Sequence, residues 1–334
     1  MKTTTHYSAL VEHIGKLLQQ GRSQAAQSVN TILVQTYWLI GQHIVLFEQG
    51  GQEKSVYGSK LLEQLAKDLT ERYGKGFSRS NLFQIRQFYL GYSKVQTVSG
   101  QFKLSWSHYV EILKTNHPLE ISFYTKQAEK ENWSVRELKR QMKSMLFHRL
   151  ALSKDKAGVL SLAEKGQEIQ QPEDIIKDPF VLEFLNIPQA HQYLETELEQ
   201  QLITNLQQFL LELGKGFAFI GRQYKISLGG KHFYVDLVFY HRILKCFVLI
   251  DLKRGELSHQ DIGQMNLYLN YFQKEENVAD DNLPIGIVLG AYKDRILVEY
   301  ALENMTNQLF VSKYQLYLPD KKQLEHELQK LLTY

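Results

Sequence analysis

The stretch FYVDLVFYHRILKCFVLIDLKRGE, residues 233–256, predicts two neighbouring β-strands that each carry an aspartate in an apolar run. The first run contains Asp236, and the second ends in Asp251 and Lys253. Aspartate is a poor strand former and its buried charge is costly without a partner, so both positions call for a reason. Residues two apart on a strand project from the same face, which places Asp251 beside Lys253.

These residues suggest a metal site. A hairpin through residues 241–244 would bring the two strands together, and two carboxylates at one sheet edge are typical oxygen ligands of Mg²⁺. A lysine beside them supplies positive charge to a phosphate oxygen or helps to activate a water molecule. The alternative is a buried Asp–Lys ion pair without a metal, and the residues leave both interpretations open.

The helix predicted over residues 191–213 offers a third carboxylate. At about 100° per residue, its leucines and Phe209 form one apolar stripe. Glu199 falls inside that arc, whereas Glu197 points to the opposite, solvated side. Glu195 lies near the stripe in the first turn, where acids favour the helix dipole. We therefore expect Glu199 to face the site.

Strands and helices alternate in the second half of the chain, which predicts an α/β domain with a mixed central sheet. The expected strands cover residues 217–228, 232–240, 245–252, 285–290 and 308–317, and the expected helices cover 259–273, 294–304 and the chain from 321.

The first half of the chain is predicted to be entirely helical, with helices over 8–20, 26–48, 58–72, 79–92 and 134–148. Glycines at 74 and 76 break the chain between two of these helices, which is also the outline of a helix-turn-helix. Lys75, Arg79 and Arg86 lie around that turn and are candidates for contacts with DNA phosphates. An ordinary pair of helices with solvated arginines fits equally well.

The charge is distributed unevenly along the chain, which suggests a boundary between two domains. Residues 1–150 carry 20 Lys+Arg and 11 Asp+Glu, a net charge of +9, whereas residues 151–334 carry 19 and 25, a net charge of −6. A basic half suggests contact with a polyanion, although helical surfaces are often rich in lysine. We expect a basic helical domain over 1–150, a linker over 151–172 and an α/β domain over 173–334.

Composition excludes several classes of protein. No run approaches the ~20 apolar residues of a membrane-spanning helix, and residues 1–20 do not resemble a secretory signal. The single cysteine, Cys246, excludes an intramolecular disulfide framework and a cysteine-based zinc cluster. A cytoplasmic protein without membrane contact is expected.

The ordered set of Glu199, Asp236, Asp251, Lys253 and Gln264 resembles the PD-(D/E)XK nuclease superfamily. The chain as a whole resembles the bacterial YhcG-like proteins, which join a helical N-terminal domain to a nuclease domain. The segments that carry this resemblance include YGKGFSRSNLFQIRQFYLGY, LEQQLITNLQQFLLELGKGFAFIGRQ, YVDLVFYH, VLIDLKRGELSHQDIGQMNLYLNYF and IGIVLG.

The resemblance implies a restriction-endonuclease-like fold and a role for each residue. Asp236 and Asp251 would be metal ligands, Glu199 would complete the metal site, Lys253 would be the catalytic lysine and Gln264 a polar helper. The expected cofactor is Mg²⁺, for which Mn²⁺ can substitute. Val235 stands where the motif has a proline, which shapes the turn and binds nothing.

The expected function is therefore Mg²⁺-dependent hydrolysis of DNA phosphodiester bonds, in DNA processing or in defence against foreign DNA. One alternative is a non-catalytic nucleic-acid-binding or assembly factor on a nuclease-like scaffold. Another is a protein-interaction module in which the basic charge is incidental. A homodimer and a partner protein of the same pathway are further expectations.

Overall fold

The computed structural model describes residues 3–50, 57–93, 102–152, 154–187, 194–292 and 308–333. The chain divides into two units, residues 1–139 and 140–334. No helix among the described residues has both the length and the apolar character needed to cross a membrane.

The first unit is helical, as the sequence predicts. Its helices are α1 (Thr3–Gly50), α2 (Tyr57–Tyr73), α3 (Arg79–Gly91), α4 (Trp106–Ile112), α5 (Pro118–Glu131) and α6 (Val135–Lys143), the last of which crosses into the second unit. Ser134 and Glu137 form a capping box at the start of α6: Ser134 N donates to Glu137 Oε2 at 2.6 Å, and Glu137 N donates to Ser134 Oγ at 3.2 Å.

Helix α1 is one continuous helix of 48 residues, whereas the sequence suggested two helices with a break near residues 20–26. Gly21 does not end the helix, because a single glycine costs a helix only about 1 kcal/mol. Helices α1 and α3 approach closely at Gly41, where a Cβ atom would collide with the carbonyl oxygen of Ile85.

The second unit is an α/β domain around a six-stranded sheet. Its remaining helices are α7 (Leu146–Ala151), α8 (Lys156–Lys165), α9 (Glu195–Thr204), α10 (Leu206–Leu213), α11 (His259–Tyr271) and α12 (Lys321–Thr333). Its strands are β1 (Phe180–Val181), β2 (Phe217–Leu228), β3 (Lys231–His241), β4 (Cys246–Glu256), β5 (Ile285–Tyr292) and β6 (Gln308–Gln315).

The strand order is β1-β6-β5-β4-β3-β2, and the sheet is mixed as predicted. Strands β2, β3 and β4 form an antiparallel meander, while β4, β5, β6 and β1 pair in parallel. One face packs against α9 and α10 through Leu198, Leu202 and Phe209. The opposite face packs against α11 through Met265 and Tyr268. The site described below lies where β3 and β4 separate.

Helical structure also differs from the expected pattern in later parts of the chain. Residues 151–172, expected to be a linker, contain α8, which buries Val159 and Leu162. The helix expected over 134–148 is interrupted at Met145, which has a positive φ of 56°. The helix expected over 191–213 is divided into α9 and α10 at Asn205, and the one expected over 294–304 lies outside the described residues.

Candidate active site at the fork between two strands

Asp236 and Asp251 are the first residues beyond the paired part of β3 and β4. The pairing between these antiparallel strands runs from His241 and Cys246 to Leu237 and Ile250. Past that point β4 continues to pair with β5, while β3 continues to pair with β2. The sheet therefore opens into a fork, and the two aspartates stand on its two arms.

The Asp236 carboxylate is fixed by two donors. Its Oδ2 accepts a hydrogen bond of 2.8 Å from the backbone N–H of Leu252, across the fork. Its Oδ1 accepts a hydrogen bond of 3.1 Å from Nε2 of Gln223 on β2. Val235 and Leu237, on either side of Asp236, are fully buried. The two hydrogen bonds therefore satisfy the carboxylate in apolar surroundings.

Asp251 is almost completely buried, with 2 % of its surface exposed. Lys253 Nζ lies 2.9 Å from Asp251 Oδ2, but no described residue completes a well-directed hydrogen bond to that oxygen. Burial raises the pKa of Asp251 to about 7, and the nearby Asp236 carboxylate contributes to the rise in spite of Lys253. The negative charge of Asp251 is therefore held in an unfavourable environment.

Lys253 lies among several acids. Besides Asp251, Asp261 Oδ1 at the start of α11 is 3.8 Å from its Nζ. Burial lowers the pKa of Lys253, but the carboxylates of Asp251, Glu195 and Asp236 outweigh it and the net pKa is raised. Lys253 is therefore a stable cation at neutral pH.

Glu199 reaches the site through Gln223. It is buried on α9 with 8 % of its surface exposed, whereas Glu197 is exposed, as helical periodicity predicts. Gln223 Nε2 donates hydrogen bonds to Glu199 Oε2 at 2.6 Å and to Asp236 Oδ1 at 3.1 Å. Burial raises the pKa of Glu199; the hydrogen bond from Gln223 opposes this rise, and repulsion from Asp236 adds to it.

Gln264 on α11 donates a hydrogen bond to the hydroxyl of Tyr268, one helical turn further on. Tyr268 in turn donates to the backbone carbonyl of Tyr234 at 3.0 Å. Gln264 is therefore linked to β3 two residues before Asp236 and is not hydrogen-bonded directly to the carboxylates among the described contacts. The chain Gln264–Tyr268–Tyr234 ties α11 to the arm of the fork that carries Asp236.

The residues at the fork fit a divalent cation. The three carboxylates of Asp236, Asp251 and Glu199 are all hard oxygen donors, and two of them have pKa values raised by burial. They do not bring one oxygen each within 4.8 Å of one another, since Gln223 stands between Glu199 and Asp236. A cation between Asp236 and Asp251 would relieve their repulsion, with Glu199 acting from further out.

The cations expected at the helical turn of the first unit have different surroundings. Arg86 forms an ion pair of 2.7 Å with Glu48 and is half-buried. Arg79 is exposed and forms an ion pair of 3.3 Å with Glu63. Lys75 is exposed in the turn between α2 and α3.

Three residues near the fork are not among those that the sequence predicts: Gln223, Tyr268 and Asp261. Gln223 sits in a strand in an uncommon left-handed conformation, with a φ of 46°, close to a register shift between Phe219 and Gly221. This left-handed backbone conformation cannot be inferred from the presence of a glutamine in a strand. Tyr268 is predictable from the sequence, because it lies four residues after Gln264 and therefore on the same helix face.

Comparison with known proteins defines the class of this fold and site. Residues 173–331 match the family described as YhcG PDDEXK nuclease domain, and residues 13–149 match the family described as DUF1016 N-terminal domain. The second unit is thus a restriction-endonuclease-like domain of the PDDEXK type, as the sequence predicts.

The chain belongs to the YhcG family. It is 39 % identical over 356 residues to the protein of Escherichia coli (strain K12) named "Putative nuclease YhcG", with 98 % of this chain and 94 % of that protein covered. A repair endonuclease from Pyrococcus abyssi is similar over 40 % of this chain and 50 % of that chain, with 19 % identity and a TM-score of 0.27.

Proposed function

We propose that this protein is a Mg²⁺-dependent nuclease that hydrolyses phosphodiester bonds in DNA. The observation that carries the proposal is the fork, where Asp236 and Asp251 converge beside the Lys253 ammonium, 2.9 Å from Asp251. The family match to a PDDEXK nuclease domain supports the same chemistry.

Each residue of the fork has a distinct role in this proposal. Asp236 and Asp251 would hold the cation, and Glu199 would support Asp236 through their shared donor Gln223. When bound, the cation lowers the pKa of a water molecule and neutralises charge on the phosphate; Mn²⁺ can replace Mg²⁺. Lys253 places a fixed positive charge at the phosphate, because its surroundings keep it protonated. Gln264 acts at a distance, by holding Tyr268 against β3.

DNA is the proposed substrate, with a role in DNA processing or in defence against foreign DNA in the cytoplasm. In the helical unit, Lys75 is the best placed of the three expected phosphate contacts, because Arg79 and Arg86 already have carboxylate partners. The proposal for this unit also includes binding of a partner protein from the same pathway.

The proposal is tested by incubating labelled duplex, single-stranded and branched DNA with the wild-type chain in Mg²⁺ and in EDTA. We expect cutting only with the metal, no cutting by an Asp251→Ala chain, and retained DNA binding by that variant. Cutting by Asp251→Ala would refute the site. Absence of both metal binding and DNA binding in the wild type would refute the nuclease.

A further inference from the structure

Helix α1 has a packed face and an opposite, outer face. Val34, Trp38 and Val45 are buried, with exposed fractions of 4 % or less, and Gly41 lies against Ile85 on the same side. At about 100° per residue these four positions of α1 fall within one narrow arc. This arc is the side by which α1 joins its own unit.

The outer face of α1 carries a long apolar stripe. Twelve large apolar residues between Tyr7 and Phe47 are exposed, and all but Leu33 fall within an arc of about 120° opposite the packed face. We call the eleven residues within this arc the α1 stripe; they include Tyr7, Leu10, Ile14, Leu18, Val29 and Ile32, which are 46–68 % exposed.

The absence of charged residues distinguishes the α1 stripe from apolar residues scattered over a surface. No Asp, Glu, Lys or Arg lies within its arc, whereas the charged Glu12 and Lys16 lie on the other side of the helix, paired at 2.9 Å. Every described residue from Tyr7 to Val29 is exposed, so this part of α1 receives no cover from the described chain. A helix in water owes most of its stability to packing of its apolar face, and this face lacks such packing.

Near the C-terminal end of α1 the apolar surface widens. Ile40, Ile44 and Phe47 of α1 and Leu65 and Leu69 of α2 line an apolar groove of about 510 Å³. The stripe and this groove share Phe47, so they form one continuous surface. Exposed patches on a monomer rarely exceed a few hundred Å² unless they bind something.

We propose that the α1 stripe pairs with the α1 stripe of a second copy of this chain. If half-exposed apolar side chains offer roughly 40 Å² each, the eleven residues of the stripe in each of two copies bury about 900 Å² of apolar surface. At an apolar share of about 60 %, this corresponds to a total interface of roughly 1,500 Å², within the standard size range for a stable complex.

The geometry favours a second copy, because the stripes of two chains have the same length and are both apolar and uncharged. A two-fold contact uses the same patch on both chains, so the partner needs an uncharged apolar face about 60 Å long at 1.5 Å per residue. The α1 helix of another copy has that length and that uncharged face. Two such helices would pack side by side as in an α-helical pair, with their polar faces in water.

The test is the mass of the full chain in solution by sedimentation equilibrium. We expect twice the 39.0 kDa of one chain for the wild type, and one chain for an Ile14→Glu/Leu18→Glu variant. A Gln20→Glu/Gln27→Glu variant is the matched control: it adds the same charge at exposed positions of the opposite face and should remain a dimer. Circular dichroism checks that each variant keeps its helix content.

Either of two results would overturn the inference. One is a wild-type chain that stays at 39.0 kDa up to high micromolar concentration, which would leave the stripe to a different protein. The other is a dimer that the stripe variant does not weaken although its helices are intact. Neither result depends on whether the chain cuts DNA.

Discussion

The side-chain amide of Gln223 donates a hydrogen bond of 2.6 Å to the Glu199 carboxylate, so that the edge strand β2 fixes an acid of helix α9. The same nitrogen also binds Asp236 at 3.1 Å. Among the described contacts, Gln223 is the only residue that donates hydrogen bonds to two of the three acids at the fork. It is neutral and lies outside the nuclease motif.

Replacement of Gln223 by alanine should lower metal affinity or activity by about 10- to 100-fold, the usual cost of losing a group that orients a metal ligand. Calorimetric titration with Mg²⁺ and single-turnover cleavage measure the two effects. Gln201→Ala is the control, because Gln201 is exposed on the same helix as Glu199. Equal losses in both variants would contradict a positioning role.

Asp251→Asn should abolish cleavage without lowering the stability of the metal-free protein. The change removes a charge that burial and Asp236 disfavour, as the raised pKa of Asp251 indicates, and it preserves the shape of the side chain. Urea unfolding in EDTA should give the variant a free energy of unfolding equal to or above that of the wild type. A clear loss of stability would mean that Asp251 serves mainly as an ion-pair partner of Lys253.

The β2–β3 hairpin beyond the fork should contact the substrate. Residues 222–235 include Arg222, Lys225 and Lys231 and no acidic residue. Lys225 pairs with Tyr234 across the strands, and both are exposed on the face opposite the buried Ile226 and Val235. Tyr234 is two residues from Asp236, so this face leads into the site.

Lys225→Ala and Tyr234→Ala should therefore raise KM for DNA several-fold and leave kcat nearly unchanged. In Lys225→Ala, the loss of one phosphate contact should also reduce the salt dependence of binding by slightly less than one unit of slope. Lys274→Ala, an exposed lysine after α11, is the control. Unchanged KM and salt dependence in the hairpin variants would exclude this surface.

Glu212 should be essential for the stability of the second unit. Its carboxylate is fully buried and lies 2.6 Å from the fully buried Arg149 guanidinium. Glu212→Gln would leave that cation underpaired, at a cost of about 3–5 kcal/mol in the free energy of unfolding. Glu164→Gln, on the exposed surface of α8, should change it little.

The same pair predicts a pH dependence. Burial raises the pKa of Glu212, but Arg149, Lys177 and Arg140 outweigh it and lower the pKa to about 2. An unfolded glutamate has a pKa of about 4.3, so the contribution of Glu212 is complete above that pH and decreases as the pH falls towards 2. Unfolding measured between pH 5 and 2.5 should show a steeper decline in the wild type than in Glu212→Gln.

Glycines of α1 should respond in opposite ways to alanine. Gly41→Ala places a Cβ against the Ile85 carbonyl and should cost about 1–3 kcal/mol, whereas Gly15 has open space around it. Gly15→Ala should stabilise the helix by up to about 1 kcal/mol. Thermal unfolding of the two variants tests both signs, and a neutral Gly41→Ala would contradict the close packing of α1 on α3.

The sequence alone determined many of the elements and singled out the acids of the candidate site. Strands β2 to β6 and helices α2, α3 and α11 follow from periodicity and from glycine breaks, because those signals are local. The choice of Glu199 over Glu197 came from the apolar arc of one helix. The catalytic use of Asp236, Asp251 and Lys253 stays a prediction.

Tertiary structure alone decided how those acids are held. The end of pairing at Leu237 and Ile250, the kink at Gln223 and the Arg149–Glu212 pair join residues 13 to 63 positions apart. Such contacts depend on strand register and on burial, which no local pattern encodes. The sequence shows which side chains are chemically unusual, whereas only the packed sheet determines which of them meet and at what cost in desolvation.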